Sequence, residues 1–277
     1  MGLPITLVEV PFMAGDDRHP AAAGPGRVAD AWLRPPGPIN VVRVERDGPF
    51  RDTGSAALSV NRALTGAVRE ALAAGRRPIV LAGSCDSSLG VLGGFDHAST
   101  GVVWIDAHGD FNTPDTTSSG FFPGMSLAIA AGDCYADWWA GIGNNRPIDR
   151  RATVLLGTRE LDPAERIRLG ESGISVVEWR AGGPVADPAV ALAGLADRVG
   201  RVYLHLDLDG LDPSIAPGVV DEPVPGGLTL GDVGAILEDV LARFDLVAAT
   251  IATYNPARDA DDRTLRTVIT IIERLTA

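Results

Sequence analysis

Hydrophobic positions along the chain fall into short runs rich in β-branched residues, which alternate with longer Ala- and Leu-rich segments of helical spacing. The short runs cover residues 5–10, 40–44, 78–81, 101–105, 152–156, 201–206 and 246–251. Runs of this length and composition predict strands, and the segments between them predict helices. Because strands that alternate with helices normally pair in parallel, the pattern predicts an α/β fold with helices covering a parallel sheet.

The length is compatible with one domain, because α/β folds commonly hold 277 residues around one large core. The sequence has no evident internal repeat and no low-complexity tail. We therefore expect a single catalytic domain over residues 1–277. Residues 15–38 are rich in loop-forming residues, and we expect this segment to form a lid or a wall.

Charge and composition exclude several classes of function. The formal net charge of −12, without any run of Lys or Arg, argues against a nucleic-acid partner. The first residues lack the basic region of a signal peptide, and no apolar run approaches the roughly 18 residues of a membrane span. Cys85 and Cys134 are too few to build a disulfide framework. We therefore expect a cytoplasmic protein with no membrane partner.

Acidic residues follow two of the predicted strands, at 106–110 (Asp-Ala-His-Gly-Asp) and at 207–213 (Asp-Leu-Asp-Gly-Leu-Asp-Pro). Ligands of open parallel sheets bind beyond the carboxyl ends of the strands. If the extended backbone continues, alternate residues project to one face, which would bring Asp106, His108 and Asp110 together.

Carboxylates at such close spacing need cations. Ionised carboxylates a few ångströms apart raise one another's pKa unless positive charge neutralises them. Oxygen-rich donors with one imidazole favour Mn²⁺ or a similar borderline cation over a closed structural zinc site. A pair of divalent cations supplies hydroxide at neutral pH, which suits hydrolysis. The alternative interpretation is that these Asp and Gly residues only close loops and cap helices.

Several segments of the chain resemble the arginase and agmatinase family of ureohydrolases. The matching segments are 106–114, 207–213, 226–229 and Asn255-Pro256, and Gly83-Ser84-Cys85-Asp86 falls where the family has a Gly-Asp-His loop. The resemblance spans nearly the whole chain. It implies a three-layer α-β-α architecture with a mainly parallel sheet of about eight strands. It also implies a small guanidino substrate, hydrolysis of a C–N bond in a linear amidine, and two Mn²⁺ ions per chain.

The resemblance further implies a set of metal ligands. One cation would be held by Cys85, Asp106, Asp110 and Asp207. The other would be held by His108, Asp106, Asp207 and Asp209. Asp106 and Asp207 would then bridge the two cations, and Asp110 or water would transfer the proton during catalysis.

Three positions depart from the family pattern. Cys85 replaces a histidine ligand, so the donor set is softer if the thiolate binds a cation, and the alternative is a small buried residue beside an empty ligand position. Pro123 replaces a histidine that is proposed to shuttle protons, and proline cannot exchange a proton. Thr253 replaces a glutamate that pairs with the substrate guanidinium, so a fully cationic group loses its counter-ion.

The residues that bind the amino-acid part of an arginase substrate are retained. By resemblance, Asn112, Thr117 and Ser119 would bind an α-carboxylate. Asp162 would bind the α-ammonium, with Glu165 in a water-mediated contact. Agmatine, which lacks the carboxylate, fits this arrangement less well. In the alternative interpretation, Asp162 only starts a helix, and Asn112 and Ser119 only form turns.

An N-hydroxyguanidine is less basic than a guanidine, so it can bind as a neutral group that Thr253 hydrogen-bonds. The combination of Cys85, Pro123 and Thr253 is similar to the branch of the family that hydrolyses Nω-hydroxy-L-arginine to hydroxyurea and L-ornithine in D-cycloserine biosynthesis. Two alternatives stay open: a guanidino-acid hydrolase such as an arginase, acting on an unmodified substrate, and a metal-poor binding homologue without activity. We expect a monomer, with the homo-oligomers common among arginases as the alternative.

Overall fold

The computed structural model describes residues 3–32, 39–48, 50–143, 146–220 and 223–277. Within these ranges, one sheet contains β1 (Ile5–Val10), β2 (Ile39–Arg43), β3 (Arg77–Ala82), β4 (Thr100–Ile105), β5 (Thr153–Thr158), β6 (Ser175–Arg180), β7 (Gly183–Pro184), β8 (Arg201–Asp207) and β9 (Asp245–Ala252). The strand order is β2-β1-β3-β9-β8-β4-β5-β6-β7. All neighbouring strands are parallel except β6 and β7, which are antiparallel.

The helices of the described ranges are α1 (Gly24–Ala31), α2 (Thr53–Ala73), α3 (Ser87–Leu92), α4 (Ser126–Ala130), α5 (Ala136–Ala140), α6 (Pro163–Ser172), α7 (Pro188–Ala196), α8 (Leu230–Arg243) and α9 (Arg263–Thr276). Successive strand residues point to opposite faces of the sheet, and each face has its own hydrophobic cluster. Leu7 and Val103 pack in the cluster formed with α7, α8 and α9, whereas Val8 and Trp104 pack in the cluster formed with α2, α3 and α4. The fold is therefore a three-layer α-β-α architecture, as predicted.

The structure differs from the sequence prediction in two places. The sheet has nine strands, close to the number that the resemblance implies, but the seven apolar runs of the sequence do not include β6 and β7. β6 is partly exposed and β7 has two residues, so neither gives a run of buried apolar positions. The centre of segment 15–38 is not a loop, because a 3-10 turn (Pro20–Ala23) and α1 make it helical. Residues 33–38 lie outside the described residues. No helix in the described part of the chain is long and apolar enough to cross a membrane.

The central strands bring distant parts of the sequence to one edge of the sheet. β3, β9, β8 and β4 are consecutive and parallel, so their carboxyl ends meet at the same edge. These ends lead to Cys85, Thr253, Asp207 and Asp106, in that order across the sheet. The strand order therefore positions the predicted site residues next to one another.

Candidate metal centre and substrate pocket

The segment after β4 leaves the extended conformation at once. Asp106 accepts hydrogen bonds from the backbone N–H of His108 at 2.7 Å and from Nε1 of Trp104 at 3.0 Å. Asp110 has a φ of 47°, a left-handed conformation that aspartate tolerates better than most residues. Its carbonyl oxygen accepts the N–H of Leu127 at 2.9 Å. Turns, and not the predicted strand alternation, therefore place these side chains.

Glu165 anchors this segment to α6. Its Oε1 accepts the backbone N–H of Phe111 at 2.8 Å. A Cβ atom on Gly109 would lie 2.5 Å from the same oxygen, so any larger residue there would require the Glu165 side chain to move. Glu165 is buried, and burial raises the pKa of its carboxyl group. The loop contact is a role that the sequence does not predict, and a water-mediated substrate contact of Glu165 stays a prediction.

Asp207, at the end of β8, is the centre of a hydrogen-bond cluster. Its Oδ1 accepts the N–H of Asp209 at 2.8 Å, and Asp209 in turn accepts the N–H of Ala107 at 3.1 Å. The Cys85 thiol donates to Oδ2 of Asp207 at 2.7 Å, and the Thr253 hydroxyl donates to its Oδ1. These bonds tie together the two acidic segments and the loops that follow β3 and β9.

Two groups of donor atoms are close enough to hold one cation each. In each group, one ligand atom per residue lies within 4.8 Å of the others, and the groups are Cys85, Asp106, His205, Asp207 and Asp106, His108, Asp209. Asp106 belongs to both groups, as its predicted bridging position requires. Asp207, the second predicted bridge, belongs to the first group alone.

Asp110 belongs to neither group, although it lines the same small cavity as Cys85 and Thr253. Its Oδ2 is buried and has no hydrogen-bond partner among the described residues. A buried carboxylate oxygen without a partner is costly, and a bound cation would offset that cost. Burial, together with the charges of Asp106 and Asp207, raises the pKa of Asp110 well above its ordinary value.

The electrostatics of the two groups favour bound positive charge. Burial, and then the charge of Asp209, raises the pKa of Asp106 to about 7. Burial and neighbouring carboxylates also raise the pKa of Asp207 and of the Cys85 thiol. Burial alone would raise the pKa of Asp209, but its ion pair with His108 lowers that pKa. Nδ1 of His108 lies 3.0 Å from Oδ2 of Asp209. Oxygen donors with imidazole and thiol groups therefore fit a pair of divalent cations.

His205 is a residue of this region that the sequence analysis does not assign. It is fully buried, and its ring stacks on Trp104 with ring centroids 3.8 Å apart. Burial lowers the pKa of His205 to about 3, so the imidazole is neutral. The sequence signal is its position in β8, two residues before Asp207 and therefore on the same face of the sheet.

A larger cavity of about 890 Å³ is lined by His108 and Asp110 at the metal centre and opens toward solvent between loops. It shares these two residues with the small cavity that Cys85, Asp207 and Thr253 line. Its other lining residues include Asp16 and His19, so this part of segment 15–38 forms a wall, as predicted.

Asp162 faces this larger cavity. It precedes α6, but its side chain makes no capping hydrogen bond to the helix. Its Oδ2 instead accepts Nδ2 of Asn112 at 3.1 Å, and the Ser118 hydroxyl lies 3.4 Å from both carboxylate oxygens. Thr116 fixes the other end of the Asn112 amide by donating to its Oδ1 at 3.0 Å. Asp162 therefore begins α6 without capping it through its side chain, and a contact of its carboxylate with the substrate stays a prediction.

Thr117, Ser119 and Pro123 also line the larger cavity. The Thr117 hydroxyl accepts the N–H of Gly120 at 3.0 Å, and the Ser119 hydroxyl accepts the N–H of Phe121 at 3.2 Å. Both hydroxyls thus form turns, and each keeps its own hydrogen for an acceptor in the pocket. Pro123 begins the 3-10 turn Pro123–Met125 and offers the pocket no titratable group.

Comparisons with known proteins agree with this geometry. The sequence model of the arginase family matches residues 3–277. Arginase from Bacillus caldovelox is 31% identical over 293 aligned residues, which cover 98% of this chain and 97% of that protein. The solved structure of B. caldovelox arginase has a TM-score of 0.85 at 29% identity and covers 100% of this chain and 99% of its own.

A Streptomyces lavendulae protein named Nω-hydroxy-L-arginine amidinohydrolase is 31% identical over 216 residues, which cover 76% of this chain and 74% of that protein. Arginase from Bacillus cereus has a solved structure with a TM-score of 0.84 at 28% identity, covering 99% of this chain and 98% of its own. The chain therefore belongs to the arginase family, whose members are amidinohydrolases that act on small molecules with a binuclear metal centre.

Proposed function

We propose that this chain is a single catalytic domain that hydrolyses Nω-hydroxy-L-arginine to hydroxyurea and L-ornithine, and that it serves antibiotic biosynthesis. The main observation is that residue 253 is a neutral threonine. It stands beside Asp207 in the small cavity and donates its hydroxyl hydrogen to that carboxylate. A neutral group at this position offers no counter-ion to a guanidinium, so it favours the less basic N-hydroxyguanidine.

The backbone of Thr253 is consistent with a functional position. Its φ is 73°, which is rare for a β-branched residue. The hydrogen bond from its backbone N–H to the carbonyl of Ala82, at 3.0 Å, helps to hold this conformation. Strained residues of this kind occur preferentially in active sites, where the surrounding structure maintains them.

The proposed metal ligands are drawn from the two donor groups, with Asp110 added to the first and Asp207 added to the second. Cys85, Asp106, Asp110 and Asp207 would hold one cation, and Asp106, His108, Asp207 and Asp209 would hold the other. The donor set is rich in carboxylate oxygens, so we assign Mn²⁺. When bound, the cations supply hydroxide at neutral pH and neutralise the buried carboxylates.

Asp110 is the proposed proton acceptor. The reaction adds water to the hydroxyguanidine carbon and breaks the bond from that carbon to the δ nitrogen. One proton of the water must therefore reach the amine of the departing ornithine. Asp110 is buried at the junction of the two cavities with an unpartnered oxygen, so it is placed to accept this proton and release it again. Pro123, on the same wall, cannot take part.

The residues proposed to bind the amino-acid part of the substrate line the larger cavity. Asp162 would pair with the α-ammonium group. Asn112, Thr117 and Ser119 would donate to the α-carboxylate, with Glu165 contacting the substrate through water. The hydroxyl hydrogens of Thr117 and Ser119 are available because both oxygens accept backbone N–H groups in their turns.

An arginase acting on unmodified arginine is the second candidate, since two of the relatives reported above are named arginase. A metal-poor homologue without activity is a third, and the buried acidic cluster argues against it because metal-free carboxylates would repel one another. Incubation of the Mn²⁺-loaded protein with each substrate, with product identification by mass spectrometry and metal analysis of the same sample, separates the three. We expect two metal ions per chain and hydroxyurea with ornithine. Urea from arginine at a comparable rate supports an ordinary arginase, and no metal with no product supports the inactive homologue.

A further inference from the structure

The donor group around Cys85 contains an imidazole in a position that the family resemblance does not assign. Cys85 stands where the family has a histidine ligand, and His205 lies in β8, paired with Trp104 of β4 and Thr250 of β9. One ligand atom of His205 lies within 4.8 Å of ligand atoms of Cys85, Asp106 and Asp207. The imidazole missing at residue 85 is therefore present at the same cluster, on a different strand.

One ring nitrogen of His205 has no hydrogen-bond partner among the described residues. The residue is 0% exposed, and its Nε2 has no hydrogen-bond partner among the residues that the structure describes. A buried ring nitrogen without a partner is destabilising. A cation between His205 and the three neighbouring donor side chains would offset this cost, because it would accept the nitrogen lone pair.

The neighbours of His205 determine which nitrogen is free. Its Nδ1 lies 3.5 Å from the hydroxyl oxygen of Tyr203, and that hydroxyl donates its hydrogen to Oγ1 of Thr250 at 2.7 Å. The Tyr203 oxygen can therefore only accept from Nδ1–H, which leaves the lone pair on Nε2. Trp104, stacked on the imidazole, donates its Nε1–H to Asp106 and so holds the ring beside that carboxylate.

We propose that Nε2 of His205 is a further ligand of the cation held by Cys85, Asp106 and Asp207, and that it makes this site the softer of the two. The inference rests on the proposed binuclear centre. The Cys85 group then offers sulfur, nitrogen and carboxylate oxygen, whereas the His108 group offers nitrogen and oxygen only. Thiolate and imidazole donors favour Co²⁺ and Zn²⁺ over Mn²⁺ more strongly than carboxylates do. The two sites should therefore discriminate differently between these cations.

Cobalt titration of the metal-free full-length protein tests this inference without relying on activity. Bound Co²⁺ reports a thiolate ligand by ligand-to-metal charge transfer in the near ultraviolet, and its visible bands report coordination. The test variant is His205→Gln, and the matched control is His97→Gln. His97 is also buried, but it contacts the backbone of Arg146 and the ring of Trp139 instead of the carboxylates.

In the wild type and in His97→Gln we expect two Co²⁺ ions per chain, one of them with thiolate charge transfer. His205→Gln should weaken the thiolate-bound Co²⁺ at least about tenfold, change its visible bands, and weaken Mn²⁺ binding by a smaller factor. Unchanged Co²⁺ affinity and spectra in a folded His205→Gln protein would overturn the inference about His205 but leave the proposed function standing. A wild type that binds no divalent cation would overturn the proposed function as well.

X-ray absorption of the Co²⁺-loaded wild type keeps the test decisive if His205→Gln does not fold. The imidazole ligands of the two cobalt ions can be counted from outer-shell scattering. Two imidazoles, from His108 and His205, support the inference, whereas one imidazole contradicts it.

Discussion

The inner and outer ends of the pocket are built in different ways. At the inner end, Asp106 and Asp207 are 1% and 2% exposed and stand at the ends of neighbouring strands. At the outer end, Thr117 and Ser119 belong to a loop, and Ser119 is exposed. Strand ends therefore position the two carboxylates proposed to bridge the cations, and a loop carries the groups that would recognise the amino acid.

The two ends also differ in how they relate to the arginase pattern. By the family resemblance, we expect the inner end to depart from it at Cys85, Pro123 and Thr253 and the outer residues to match it. Under the proposed function, the inner end would determine which guanidino group is hydrolysed, and the outer end would bind the amino-acid part of the substrate. If so, substitutions at the inner end should alter turnover and preference, and those at the outer end should alter binding.

The largest expected effect is that of Asp110→Asn at the inner end. Removing the proton acceptor should lower kcat by about 10²- to 10⁴-fold. Asparagine tolerates the positive φ of residue 110, so the melting temperature should stay close to that of the wild type. Steady-state kinetics and metal analysis of the same sample check this. Asp115→Asn, an exposed position on the same loop, is the matched control. More than a tenth of wild-type turnover in Asp110→Asn would contradict the assigned role.

Asp162→Asn should produce the largest effect at the outer end. Hydrogen bonds to charged groups contribute about 2 kcal/mol, so loss of the carboxylate charge should raise KM about 30-fold with little change in kcat. Asp187→Asn is the control, because Asp187 also precedes a helix but caps it by accepting the N–H of Ala189. A fall in kcat with unchanged KM would place Asp162 in the chemistry and remove the distinction between the two ends.

Thr253→Glu should shift substrate preference without removing activity. A carboxylate at this position restores a counter-ion for a guanidinium, so the ratio of kcat/KM for arginine to that for hydroxyarginine should rise about tenfold, or about 1.4 kcal/mol. Thr253→Asn is the matched control, since asparagine suits the φ of 73° and adds no charge. An equal shift in both variants would mean that charge at residue 253 does not decide preference.

Ser119→Ala should have the smallest effect. A neutral hydrogen bond contributes about 1 kcal/mol, so KM should rise about fivefold. The same comparison with a substrate that lacks the α-carboxylate provides the control, because there the substitution should change nothing. A fivefold loss on both substrates would indicate that Ser119 only shapes the turn at Phe121.

The sequence predicts most of the fold, because buried strands leave runs of apolar residues. β6 and β7 lie at one side of the sheet, where partial exposure interrupts the apolar pattern, and they are not predicted. The helical part of segment 15–38 is also missed, since its Gly and Pro residues are typical of loops. Pro20 and Pro25 instead stand at helix starts, where the missing N–H is not needed.

The sequence identifies the acidic residues of the candidate site, but not how they are supported. Asp106, His108 and Asp209 come together as predicted, because neighbouring parallel strands end at the same edge. The contacts of His205 and Glu165 depend on strand register and on the packing of α6, which no local pattern in the sequence reveals. Side chains that act across strands are therefore the ones that sequence reasoning misses.

The most direct test of the central claim is the ratio of kcat/KM for Nω-hydroxy-L-arginine to that for L-arginine, measured on the Mn²⁺-loaded wild type. The account predicts a ratio of at least about 100, equivalent to about 2.7 kcal/mol of preference, because the neutral Thr253 supplies no counter-ion for a guanidinium. A ratio near one, or below it, would contradict the claim and make Thr253 and Pro123 incidental to substrate choice.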